Sequence, residues 1–191
     1  MAIAAAALLF ATLGFGQQLG LHEVGGGIGY ESVSFSGTTS QTLGGFLIAA
    51  HANLGELAKD LVLFPDIEYF STSKDISGAT WKVSDFAINA NVHYNIEMEG
   101  MVKPYAGAGL GINFLSTTGS STFPAYNPIT QTISNQTVSI SGSDTRIGIN
   151  LLIGANYKLN DQMTVLLEPR YVLASDFNHF EIKAGVSWAL K

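Results

Sequence analysis

The chain contains no cysteine, which excludes a disulfide framework and any thiolate metal site. Charge is scarce as well. Asp, Glu, Lys and Arg make up 13% of the 191 residues, about half the share in an ordinary soluble domain. Nine basic residues face fifteen acidic ones, for a net charge of −6. No Lys/Arg cluster exists to neutralise phosphates, which argues against nucleic acid as a partner. Beyond the start of the chain, no stretch approaches the roughly 18 unbroken apolar positions that read as a transmembrane helix. Yet 47% of the residues are hydrophobic and 21 are glycine. A chain that is oily on average but never continuously oily suits a barrel whose strands alternate lipid and lumen faces. A soluble β-sandwich shares this composition, so the patterning has to decide.

Residues 82–96 supply the pattern. Phe86, Ile88, Ala90, Val92, Tyr94 and Ile96 share one parity, while Asp85, Asn89, Asn91, His93 and Asn95 share the other, with Ala87 the only apolar interruption. That is a strand with one apolar and one polar face. Seven further segments alternate similarly, within 23–35, 43–55, 61–70, 102–114, 145–157, 165–173 and 179–190. In the first, Val33 and Phe35 fall out of phase with Tyr30, which predicts a bulge near Ser32. Together the segments predict one all-β domain over residues 19–191: an eight-stranded antiparallel transmembrane β-barrel. Residues 2–15 form an apolar, helix-prone run followed by small residues and Gln17–Gln18. Residues 1–18 read as a secretory signal peptide, with a short buried or interfacial helix as the alternative.

Connection lengths give the orientation. The links near 56–60, 97–101 and 158–163 are tight, whereas those near 36–42, 71–81 and 115–144 are longer, polar and Ser/Thr-rich. Outer-membrane barrels have short periplasmic turns and long extracellular loops. The expectation is therefore periplasmic termini and a long third extracellular loop at 115–144, either a hydrophilic cap or, since T-V-S-I-S at 137–141 alternates, a hairpin projecting beyond the membrane. The 174–178 link is the short exception. Aromatic residues fall into two belts on the lipid parity: Tyr69, Phe86, Phe114, Tyr171 and Phe180 near the proposed external ends, and Tyr94, Tyr157 and Trp188 near the periplasmic ends.

Once the sheet closes, the polar parity surrounds a narrow interior with room for packed side chains rather than a wide pore. Glu68, Glu168, Arg170 and Lys183 are the leading candidates for a lumen charge network, together with Asp66, Asp85, Lys103 and Arg146. Burial of unpaired charge is costly, so these groups must pair or be hydrated. A network of this kind reads first as a plug fixing strand register; the alternative is a narrow conduction path. Gly107, Gly109 and Gly111, on one inward parity, leave space for opposing long side chains.

The alternation, K-P-Y-A-G-A-G-L-G at 103–111 and V-G-G-G-I-G-Y at 24–30 resemble the outer-membrane protein β-barrel domain family. This group of small bacterial barrels includes OmpA-type N-terminal domains and opacity-type porins. The resemblance covers about residues 23–191. It implies a bacterial outer-membrane location, contact with membrane lipid and lipopolysaccharide, and insertion by the barrel assembly machinery. It also implies envelope-anchoring, adhesive or porin-like roles.

Three functional readings follow. The first is a structural envelope barrel with surface adhesion through its loops, for which Phe123 and Tyr126 in the 115–144 link are the contact candidates. The second is a narrow passive channel. The third is a lipid-modifying enzyme, which needs a histidine within hydrogen-bond reach of a nucleophile. His179 and Glu181 share a parity about 7 Å apart along a strand, and no sequence cue supplies a direct arrangement with Ser175. No enzyme activity, cofactor or metal is therefore expected. His51 and His93 read as ordinary lumen polar groups, because no close ligand cluster accompanies them.

Overall fold

A computed structural model describes residues 19–35, 41–76, 78–129, 131–175 and 177–190. The proposed signal segment lies outside these described residues. The strands are β1 (Glu23–Phe35), β2 (Gln41–Asn53), β3 (Glu56–Ala58), β4 (Leu61–Ile76), β5 (Ala79–Asn95), β6 (Val102–Asn127), β7 (Thr132–Lys158), β8 (Met163–Ala174) and β9 (Phe177–Ala189). All pair antiparallel in one sheet. The circuit runs β1–β2–β4–β5–β6–β7–β8–β9 and returns to β1. Closure is required of strands in lipid, where an open edge would leave backbone groups without partners.

The sheet has nine strands, which corrects the expected eight. The additional strand is β3, inside the tight link near 56–60, E-L-A-K-D. The β2–β4 ladder stops at His51↔Asp66, next to Pro65, which has no N–H to donate. Beyond it the chain stays beside β4: Leu54 N donates to Leu63 O at 2.9 Å and Leu63 N to Gly55 O at 3.0 Å. Glu56 then pairs with Val62 and Ala58 with Leu61 across the Lys59–Asp60 turn. Gly55 and Asp60 take the positive φ values of 93° and 63° that this tight return requires.

Two further expectations are corrected. The first strand carries no bulge: its register with β2 and β9 is continuous from Glu23 to Phe35. Val33 keeps the lumen parity and is fully buried there; it looked out of phase only because the interior was assumed to be polar. The 71–81 link is largely strand, and the 115–144 link takes the hairpin alternative of its two readings. β4 and β5 stay paired as far as Ile76↔Ala79, and β6 and β7 as far as Asn127↔Thr132. Serine and threonine supplied the polarity read as loop, yet their alternation supports an exposed hairpin. Most of the 36–42 link lies outside the described residues.

On the outer surface, Tyr69 pairs with Phe86, Phe86 with Phe114, and Tyr171 with Phe180. Tyr30 and Phe46 extend the same belt with an edge-to-face contact at 6.3 Å. Eight residues separate Phe86 from Tyr94 on β5 and Phe180 from Trp188 on β9. That is about 26 Å along a strand, or about 20 Å of membrane depth at the usual tilt of roughly 35–45°, so the two belts bracket most of a roughly 25 Å apolar band. Ile28, Ile48, Ile88, Leu110, Ile149 and Ile153 fill the exposed band between the belts.

Glycine shapes the inner surface at two points. A Cβ on Gly109 would lie 2.1 Å from Asn91 Oδ1 and 2.5 Å from the Ala90 carbonyl oxygen, and one on Gly154 would lie 2.4 Å from the Tyr105 ring. Gly109→Ala and Gly154→Ala are therefore expected to cost about 1–3 kcal/mol each through overpacking. Gly142 has no atom within 4 Å of a built Cβ, so Gly142→Ala should stay within about 0.5 kcal/mol of the parent. Urea midpoints in lipid vesicles measure all three.

Candidate functional site: the lumen column and the protruding hairpin

The barrel interior is stacked in layers. At the hairpin end Val33, Leu43, Leu47, Phe70, Val83, Leu115, Ala174 and Phe177 form one buried apolar cluster. Beneath it lie Glu31, Asp85 and His179, then a charged layer. Arg170 is fully buried and is the hub of that layer. Its Nη2 donates to Asp66 Oδ2 at 2.6 Å and Glu168 Oε1 at 2.8 Å, and its Nη1 to Glu68 Oε2 at 3.2 Å. Its Nε lies 3.0 Å from Glu181 Oε1. Lys183 reaches Glu68 at 2.5 Å, Glu168 at 3.1 Å and Asp66 at 3.4 Å.

Asparagines complete the coordination of Asp66. Asn89 Nδ2 donates to Oδ1 at 2.6 Å and Asn91 Nδ2 to Oδ2 at 2.8 Å. Asn150 Nδ2 in turn donates to the Oδ1 atoms of both asparagines, at 3.0 and 2.9 Å. On the terminal side, Tyr105 donates its hydroxyl to Glu168 at 2.8 Å. A stack of rings closes this layer: His51 on Phe64 at 5.0 Å, Phe64 on His93 at 4.5 Å, and His93 on Tyr105 at 4.5 Å. Below the rings the lumen opens into a polar vestibule of about 800 Å³, lined by Asn53, Glu56, Lys103 and Asn156 among others.

The structure thus brings Asp66, Glu68, Glu168, Arg170 and Lys183 into one network. Asp85 is in the adjoining layer, accepting from Asn113 Nδ2 at 2.7 Å. Lys103 is exposed at the vestibule. Arg146 sits at the hairpin end, with Nη2 2.9 Å from Asp144 and Nη1 donating to the Ser175 carbonyl. Glu181, Tyr105 and the three asparagines complete the network, and parity had already placed Asn89 and Asn91 inward. The apolar members of the lumen column carried no such signal, because an inward valine or phenylalanine reads as a defect in the alternation. His179 is buried in the lumen, whereas Ser175 is exposed at the β8–β9 turn. The arrangement required for a lipid-modifying site is not formed among these residues.

The hairpin is the second distinctive feature. β6 and β7 run for 26 and 27 residues, whereas the other long strands have 12 to 17. Phe123 pairs with Gln136 and Tyr126 with Ile133, placing the two aromatics on opposite faces, both exposed. β8 meets β7 only from Gly148 onward, so residues 133–147 have β6 on one side and no strand on the other among the described residues.

Removing Arg170 would leave four buried carboxylates around an empty position. Arg170→Ala is expected to destabilise the barrel by about 3–5 kcal/mol. Arg146→Ala, which breaks a pair with an exposed aspartate, should change it by less than about 1 kcal/mol. Urea unfolding of the two variants in vesicles checks the contrast.

The sequence pattern described as outer membrane protein beta-barrel domain matches residues 2–189. No curated protein matches the chain. Among solved structures, Neisserial surface protein A superposes with a TM-score of 0.61 at 21% identity, covering 87% of this chain and 97% of that one. Ail, the attachment invasion locus protein of Yersinia pestis, superposes at 0.52 with 13% identity, covering 89% and 99%. These likenesses are in fold. A closed barrel with a lipid-facing apolar band, matched over nearly its whole length, belongs to the outer-membrane β-barrel domain family of the bacterial outer membrane.

Proposed function

We propose that the barrel is a non-conducting anchor that holds the β6–β7 hairpin outside the cell as an adhesive surface. In this reading the hairpin end is extracellular and meets lipopolysaccharide at its aromatic belt, the termini are periplasmic, and the barrel assembly machinery inserts the chain. The observation that carries the proposal is the hairpin itself. From Phe114 to Asn127, β6 continues for 13 residues past the belt, about 43 Å along a strand. A structural plug needs no such projection.

The hairpin's chemistry narrows the partner. Residues 115–143 contain no Asp, Glu, Lys or Arg, so attraction to a charged surface or a sulfated polymer finds no cation here. Phe123, Val138 and Ile140 form an exposed apolar row on the face that continues the lumen parity. Ser120, Thr122, Thr137 and Ser139 lie on the opposite face, which carries the exposed Tyr126 and Ile133 nearer the tip. The open side of β7 offers backbone groups to an added strand. The best partner on these grounds is an uncharged, extended protein segment. Ail carries attachment in its name, in line with this reading.

The filled lumen supports the non-conducting half of the proposal. Apolar, charged, amide and ring layers each contain residues buried to within a few per cent. Cells displaying the chain with 118–140 replaced by a two-residue turn should lose at least about tenfold in binding to immobilised extracellular proteins, an avidity-scale effect. Equal adhesion by the shortened barrel, at equal surface density, removes the hairpin from the function. In planar bilayers the parent should give no discrete current steps; regular channels sensitive to Glu68→Gln would make it a porin.

A further inference from the structure

Among the described residues, the lumen buries six carboxylates, Glu31, Asp66, Glu68, Asp85, Glu168 and Glu181, but only two permanent cations, Arg170 and Lys183. Both cations have Asp66, Glu68 and Glu168 as partners, and Arg170 also pairs with Glu181. The uncompensated acid lies on the hairpin side of that network. Glu31 stands directly opposite Glu181 across the β1–β9 ladder, a like-charge juxtaposition that is unfavourable without an intervening cation or proton.

Glu31, Asp85 and His179 meet in this layer. One ligating atom from each lies within 4.8 Å of the others, and His179 Nε2 is 4.0 Å from Glu31 Oε1. The three side chains come from β1, β5 and β9, so barrel closure assembles them. All are more than nine-tenths buried. Glu31 Oε1, Asp85 Oδ1 and His179 Nδ1 each lack a hydrogen-bond partner among the described residues, as does Glu181 Oε2, whereas Glu181 Oε1 faces Arg170 Nε at 3.0 Å. Buried polar atoms left this way are costly and call for an explanation.

We propose that Glu31, Asp85 and His179 bind one divalent transition-metal ion of the zinc class. An imidazole with two carboxylates is a donor set for zinc and its first-row neighbours, whereas calcium and magnesium favour oxygen-only shells with more ligands. Ligand distances of about 2.0–2.2 Å bring donor atoms to roughly 3.4 Å of one another, so the side chains close by about 1 Å around the ion. Glu181 adds negative field from the opposite strand, and Asn113 holds Asp85 by its other oxygen at 2.7 Å. The apolar cluster containing Phe177 covers the site, so the ion enters as the barrel folds.

The test is to refold the full chain in detergent with Zn²⁺, pass it over chelating resin, and measure metal by mass spectrometry. The parent should retain about one zinc per chain, and His179→Gln and Glu31→Gln below about a tenth of that, while His51→Gln retains it. Heat-dependent gel mobility establishes that each variant is folded. Parent barrel refolded with Co²⁺ should show visible ligand-field absorption, which keeps the test decisive if a variant fails to fold. A folded parent without zinc or cobalt bands overturns the proposal, leaving protonation to neutralise the acids. Zinc retained equally by folded His179→Gln and Glu31→Gln also overturns it, placing the metal on surface groups.

Discussion

The interior of this barrel is organised around the Arg170 guanidinium, which has no water to fall back on. Its planar fork presents donors in several directions, and three strands supply the acceptors: Asp66 and Glu68 from β4, Glu168 from β8 itself, and Glu181 from β9. A slip of one residue in any of these strands would turn the acceptor toward lipid. The hub therefore fixes register across the sheet. The glycines of β6 follow from the same crowding, since Asn89 and Asn91 lie across Gly111 and Gly109 to reach Asp66.

Much of this was legible because a barrel wall has a simple rule. Where the parities contrast, as at Phe86–Tyr94 against Asp85–His93, sequence alone separates lipid from lumen. The rule broke down at Val33, Leu43, Phe70 and Phe177, because an apolar plug inside a barrel makes both parities hydrophobic. It also failed for β3 and for the outer end of the β4–β5 hairpin. A three-residue strand is too short for a period to emerge, and Ser/Thr-rich strand above the membrane has the composition of a loop. The acids could be placed inward from sequence, but their grouping depended on stagger between strands, which no single strand encodes. His179 shows this most clearly: its neighbours Glu31 and Asp85 are 148 and 94 positions away.

Inside and outside therefore obey different constraints. Within the membrane, the lumen is filled by packed layers of side chains, and the outer face is fixed by lipid. Beyond the belt, β6 and β7 have no lumen to fill, and their sequence changes accordingly. Charge disappears between Leu115 and Ser143, glycine gives way to serine and threonine, and apolar residues such as Ile133 and Ile140 stand exposed.

The β1–β9 seam joins residues 23–35 to 177–189, the most distant pairing in the chain, whereas the β6–β7 hairpin can form from adjacent sequence. Loop-closure entropy makes the seam a late event. Lys183 and Glu181 belong to β9, while Asp66 and Glu68 belong to β4, so the charged hub is complete only once the seam has shut. Until then, Arg170 and the acids lie along an open sheet whose polar face needs water. Sealing the cylinder and drying its charges are thus a single step, in which Lys183 of β9 meets the acids of β4.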